Sequence, residues 1–284
     1  MRKKTITKKQ HYYPRCLLKY FADDCREVNV YIRKANKLRK MNYESTCFSN
    51  YTYESEDTPD NILENKLSYY EAQMGAVIKY ILSHFMDEDF VVTKEQQEFI
   101  YLYMHLQYLR TDAGRINFMT MYEDIFTYRP RTVPLELEDI QNNREKVTKF
   151  NKIFKQDGVL ENYLKHLKKP DNMNFHIAIS YENLLTSDNP VIGTDMWKRM
   201  ILPISPFLAI EFTDNSIDEA QTMLVRLTPD NIEYLNQATI NTANYFVISN
   251  KPFTLFQNNY LYNRFKNKNW TFGKPHFNLW LVKL

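Results

Sequence analysis

Glycine occurs only 5 times in 284 residues. Backbone that approaches a phosphate closely, or turns through positive φ beside one, is built from glycine. Folds organised around glycine-rich phosphate loops are therefore removed at once. Neither G-x-G-x-x-G nor G-x-x-x-x-G-K-[ST] occurs, which excludes Rossmann-type and P-loop nucleotide binding. The chain is 44% hydrophobic and 25% charged, proportions that build a sizeable globular core rather than a disordered tail or a membrane bundle.

Periodicity supplies the elements. Pro14 suits the opening of a short helix carrying Leu17, Leu18 and Phe21. Val28, Val30 and Ile32 alternate with polar residues, and a second extended stretch at Thr46-Cys47-Phe48 makes a hairpin candidate. From Asp60, Leu63, Leu67, Met74, Ile78, Ile81 and Phe85 recur at three- and four-residue spacing, the stripe of an amphipathic helix. Thr93, with Glu95 and Gln96 behind it, opens a second helix through Phe99, Leu102, Leu106 and Leu109. That helix is expected to continue past Gly114 to Ile125, until Pro130 and Pro134 break it.

Shorter helices follow at 137–156 and 158–168, and strands at 174–180, 200–205 and 210–212. The run Leu202-Pro-Ile-Ser-Pro206 is expected at a sheet edge, because each proline removes a ladder donor. A helix over 229–247, another near 253–265 and a closing strand at 276–282 complete the map. The fold class is α+β: a largely helical single domain over 1–284 with a small mixed sheet and an N-terminal hairpin. The sub-boundary lies near 129–135, and 251–284 reads as a C-terminal extension.

A net charge of +3 is too mild for a dedicated nucleic-acid binder, but its distribution is uneven. Residues 1–40 hold 13 Lys and Arg against 3 Asp and Glu, whereas residues 41–90 hold 2 against 10. The basic opening either contacts phosphate or pairs with the acidic stretch behind it. Cys16, Cys25 and Cys47 match no zinc spacing and are odd in number, so a reducing compartment is expected. No stretch approaches the roughly 18 apolar residues of a membrane span. These features point to a cytoplasmic protein without a membrane partner.

Several polar residues are placed where they can act together. His11 and Arg15 flank Pro14, at the opening of a helix that favours an anion. Glu64 and Glu71 are seven residues apart and share a helix face, with Glu71 beside the apolar stripe, where a carboxylate needs a partner. Gln107, Arg110 and Arg115 on the following segment supply one, either as a structural ion pair or as part of a site. Thr186-Ser-Asp-Asn-Pro-Val191 is a dense turn signal in which Asp188 and Asn189 can cap backbone groups. His84, Asp87, Glu88 and Asp89 read as a solvated acidic loop rather than a metal site. H-E-x-x-H, G-x-S-x-G and the zinc-deaminase pattern are absent.

Five of these segments occur in one order: H-Y-Y-P-R-C-L-L-K-Y-F at 11–21, E-x6-E at 64–71, Q-x-x-R-T-x-x-x-R at 107–115, T-S-D-N-P-V at 186–191 and L-P-I-S-P at 202–206. In that order they resemble the mainly bacterial domain-of-unknown-function 4238 family, over about residues 8 to 250. The resemblance implies that His11, Arg15, Glu71, Gln107, Arg110, Arg115 and Asp188 to Pro190 are shared polar positions. It carries no activity or cofactor with it. The chain departs from the family at Asp112, where an apolar residue or proline is common.

The expected site follows from these positions. In an enzyme acting on phosphodiesters, most simply a nuclease, His11, Glu71 and Asp188 are the catalytic candidates, with His11 and Glu71 dividing acid and base work. Arg15, Gln107, Arg110, Arg115 and Asn189 hold the substrate, a nucleic acid or a phosphorylated small molecule. The sequence demands no cofactor, and Mg2+ on Glu71 and Asp188 is the less favoured version. The alternative is a non-catalytic sensing or interaction protein whose polar set forms an ion-pair network or binds an anion.

Overall fold

The computed structural model describes residues 6–55, 59–124, 135–194, 198–216 and 222–267. In chain order its elements are β1 (Lys9–His11), α1 (Arg15–Leu18), β2 (Glu27–Ile32), β3 (Lys37–Asn42), β4 (Phe48–Asn50), α2 (Ile62–His84), α3 (Lys94–Leu109) and α4 (Asp112–Glu123). Next come α5 (Leu137–Asn142), α6 (Arg144–Lys155), α7 (Val159–Lys165), β5 (Met173–Ile179), β6 (Thr186–Ser187), β7 (Ile192–Thr194) and β8 (Arg199–Ser205). The last are β9 (Leu208–Asp214), β10 (Leu224–Arg226), α8 (Pro229–Thr242), β11 (Phe246–Ser249) and α9 (Leu255–Phe265). The architecture is α+β. No described helix is long and apolar enough to cross a membrane.

The described residues gather into two compact units, neither of them one contiguous stretch. The first takes 6–20, 43–124 and 135–170; the second takes 21–42 and 171–267.

In the first unit, α2 buries Leu63, Leu67, Met74, Ile78 and Ile81 along the stripe its spacing predicts. Thr93 and Gln96 form a reciprocal capping box at the start of α3. Phe118 of α4, Phe150 and Phe154 of α6 and Tyr163 of α7 form one aromatic cluster with centroids 4.3 to 5.7 Å apart. The expected continuous helix through Gly114 is broken. The α3 backbone stops at Arg110, and the Thr111 hydroxyl accepts the Gly114 N–H as the cap of a new helix. Residues 125–134, with the two prolines expected to end it, and the closing strand at 276–282 lie outside the described residues.

The second unit holds a five-stranded sheet ordered β10-β5-β9-β8-β7 and a four-stranded sheet ordered β3-β2-β11-β6. Helix α8 serves both. Its Ile232, Leu235 and Ala238 pack with Ala178, Ile201 and Ala209 of the first sheet. Its Ile240 packs with Tyr31 and Val247 of the second, and with Leu261 of α9.

Three strand expectations need correction. The N-terminal hairpin pairs β2 with β3, not with 46–48. Phe48–Asn50 instead joins Lys9–His11, after Cys47 turns through φ 55. Strand β8 is internal to its sheet, yet β7 covers only Arg199 to Ile201, so Pro203 lies beyond that pairing and beside a bulge against β9. Finally, the helix expected to reach Val247 ends at Thr242, and Phe246–Ser249 forms β11.

Candidate functional site

In the first unit, β1, α2 and α3 bring a set of polar side chains together. Arg110, at the C-terminus of α3, is 1% exposed. Its Nη2 donates to Glu71 Oε1 at 2.5 Å and to the His11 carbonyl at 2.6 Å, and its Nε donates to the Tyr53 hydroxyl at 3.2 Å. The Tyr53 hydroxyl donates in turn to the His11 carbonyl at 3.0 Å. One turn earlier, Gln107 donates to the Tyr12 carbonyl at 2.8 Å and accepts from Tyr103 at 3.2 Å. Glu71 occupies a place on the α2 stripe between Leu67 and Met74 that an apolar residue would fill, which is why its carboxylate meets a buried guanidinium. Sequence spacing predicts this pair, and His11 is held with it through its own backbone.

The imidazole of His11 is half-buried. Its Nε2 lies 3.1 Å from the Glu44 carbonyl, and because a carbonyl only accepts, Nε2 carries the proton and Nδ1 presents its lone pair. Burial holds the imidazole below its ordinary value of 6.5; the Glu44 carbonyl opposes that, and the charges of Arg15 and Arg110 add to it. Arg15 is exposed and forms no ion pair among the described residues.

Glu64, one α2 face-repeat before Glu71, is the residue that sequence reasoning undervalued. Its Oε2 is buried without a hydrogen-bond partner, as is Arg110 Nη1. Burial pushes its carboxyl up to about 7, with Arg110 pulling down and Glu71 and Glu54 pushing further up. Spacing alone cannot separate Glu64 from Glu71, since both face the same way. The difference is that one of them has the guanidinium.

The remaining expected residues are engaged with backbone. Arg115 donates to the Thr52 carbonyl at 2.7 Å and to Asn151 Oδ1 at 3.0 Å, and it pairs with Asp112 at 2.6 Å. Asp112 also meets Arg144 at 3.0 Å, which extends the ion pair into a chain. Both buried arginines lie near the Tyr53 ring, Arg110 at 5.7 Å and Arg115 at 5.2 Å from its centre.

Asp188 and Asn189 belong to the second unit. Asp188 is wholly buried, and its oxygens accept the Asn244, Tyr245 and Phe246 amides at 3.0 to 3.1 Å. Burial pushes its carboxyl up to about 7 against those amides. Asn189 donates to the Thr242 carbonyl at 2.9 Å, while Arg33 donates to the Ala243 and Asn244 carbonyls. Together they clamp the passage from α8 into β11, using both donors and acceptors of that turn. Asp188→Ala would leave one buried and two part-buried amides without this acceptor, and we expect a loss of about 2–4 kcal/mol, read as the shift in a urea midpoint. Among the described residues no cluster of His, Cys, Asp and Glu could hold a metal ion. The His84 side chain simply pairs with Asp87 at 2.7 Å on the surface.

No curated protein and no solved structure matches the chain. A family model described as "Protein of unknown function (DUF4238)" matches residues 9–253, a span that contains His11, Arg15, Glu64, Glu71, Arg110 and Asp188. The chain belongs to the DUF4238 family.

Proposed function

We propose that the protein processes phosphodiesters by acid–base chemistry, with His11 Nδ1 as the base and Glu64 as the acid. The observation that carries this reading is the pair of orphaned buried atoms, Arg110 Nη1 and Glu64 Oε2, in one cluster. A native interior rarely leaves such atoms unsatisfied, and a bound group that accepts from the guanidinium and from a protonated carboxyl would satisfy both. Phosphate oxygens accept both bonds. In this reading Arg110 and the exposed Arg15 hold the non-bridging oxygens. His11 Nδ1 takes the proton of the attacking hydroxyl or water, and Glu64 gives its proton to the leaving oxygen. Glu71 fixes Arg110 in place rather than exchanging protons itself.

Glu64→Gln tests the assignment twice. Activity needs neutral His11 and protonated Glu64, so kcat/KM for a chromogenic phosphodiester should rise as pH climbs through the lowered His11 value. It should fall again through about 7. Glu64→Gln should lose about 10²-fold or more and lose the alkaline limb. Stability moves the other way. A carboxyl whose folded value lies above its unfolded one contributes fully below about 4.5, and that contribution is lost as pH rises through about 7. The glutamine variant should match the parent near pH 4.5 and exceed it by about 1–3 kcal/mol at pH 8. An unchanged pH profile in the variant would remove Glu64 from the chemistry.

The second reading, a non-catalytic anion sensor, is favoured by the backbone engagement of Gln107, Arg115, Asp188 and Asn189. It predicts phosphate binding in calorimetry with no turnover of any phosphodiester.

A further inference from the structure

The two-stranded ribbon that ends at His11 has two unlike faces. Register places His11 opposite Phe48 and Lys9 opposite Asn50, so by strand alternation these four share one side and Gln10 and Ser49 the other. The Gln10 side is buried: Gln10 is 0% exposed, its amide donates to Glu54 and its carbonyl accepts the Tyr53 N–H. The Lys9 side is not. Lys9 and Asn50 are exposed and Phe48 is half-buried. Lys9 Nζ sits 4.8 Å from the Phe48 ring centre, and the His11 ring lies 5.5 Å away on the same ring. Tyr51, 39% exposed, follows directly, and its N–H donates to the Lys8 carbonyl, extending the ribbon by one bond.

The Lys9–Asn50 pair and then the His11–Phe48 pair thus follow one another along the exposed side of the ribbon, which ends where the His11 carbonyl accepts from Arg110. A cation with an adjacent ring face is what a single-stranded nucleic acid requires: ammonium groups for successive phosphates and a platform on which an unpaired base stacks. A duplex keeps its bases stacked on each other and has no use for the ring. We infer that the substrate of the site is single-stranded nucleic acid, bound along the Lys9, His11, Phe48 and Asn50 face with a base on Phe48 and phosphates on Lys9 and Arg15. This rests on the acid–base reading above and supplies its substrate class. The overall charge of +3 is no obstacle, because site electrostatics are local to the ribbon.

Fluorescence anisotropy with a labelled 12-nucleotide single strand, as RNA and as DNA, and with the matched duplex tests the inference on the full chain. The expected result is tighter binding of at least one single strand than of the duplex by about tenfold or more. Phe48→Ala should weaken it about tenfold, and Phe48→Tyr, which keeps a stacking ring, should restore it. Lys9→Ala, at an exposed position, should reduce the slope of log K against log salt by about 0.7. Equal binding of duplex, no binding of either strand in 50 mM salt, or indifference to Phe48→Ala in a folded variant would overturn it. Hydrolysis of a small chromogenic phosphodiester separates the two failures. Turnover without oligonucleotide binding overturns only the substrate class, whereas binding without turnover overturns only the enzyme.

Discussion

Gly114→Ala is expected to abolish the folded state of the helical unit, or to lower its Tm by more than 10 °C, at a cost of about 4 kcal/mol or more. Ordinarily a glycine inside an exposed helix gains stability on replacement by alanine, by up to about 1 kcal/mol. Here the sign reverses. A Cβ on Gly114 would sit 1.9 Å from the Tyr108 carbonyl oxygen and 2.6 Å from its carbon. Those atoms are backbone and are held in place: the same carbonyl accepts the Thr111 N–H at 3.0 Å and the Thr111 hydroxyl at 2.8 Å. The Gly114 N–H in turn donates to that hydroxyl at 3.0 Å. Relief would require opening the corner between α3 and α4, and Arg110 and Arg115 leave the chain on either side of it. Thermal unfolding followed by circular dichroism reads the outcome. A variant within about 1 kcal/mol of the parent would show that the two helices are not held at this separation.

That corner shows where local sequence stops being informative. The α2 stripe and the Thr93 cap were readable, because both are written in neighbouring residues. The break at Arg110 was not, since Thr111 and Gly114 look tolerable in a continuing helix until the carbonyl of Tyr108 is known to cross them. Strand β3 escaped for another reason. Its Lys37-Leu-Arg-Lys-Met-Asn42 has no buried face and lies at a sheet edge, where lysines and arginines discourage further pairing but erase the alternation that marks a strand. Strand β11 follows α8 with no glycine or proline between them, and the turn is held by Asp188 and Arg33, more than fifty residues away in the chain. At the candidate site the Glu71–Arg110 pair followed from a carboxylate on an apolar stripe. Glu64 did not, because its distinction lies in what it lacks.

The largest energetic test of that site is a double-mutant cycle on Glu71 and Arg110. Glu71→Leu continues the α2 stripe but leaves Arg110, 1% exposed, without its counter-ion; breaking a buried pair in this way costs about 3–5 kcal/mol. Arg110→Met should cost less. The carboxylate it strands is 21% exposed and reaches water, and the His11 carbonyl that loses the guanidinium still accepts from Tyr53 at 3.0 Å. Combining the two places apolar side chains of similar length in contact, so the double variant should recover to within about 2 kcal/mol of the parent, far short of the sum. The order Glu71→Leu below Arg110→Met, with strong coupling, is therefore the expected pattern in urea titrations. Additive losses would mean that the pair is no energetic unit, and that Arg110 is held by the His11 carbonyl and Tyr53 instead. The double variant also separates architecture from chemistry. It keeps the fold and removes the cation, so a stable double variant that still turns over phosphodiesters would place the charge stabilisation on Arg15 alone, and Arg110 Nη1 would be an orphan of packing rather than a ligand-binding atom.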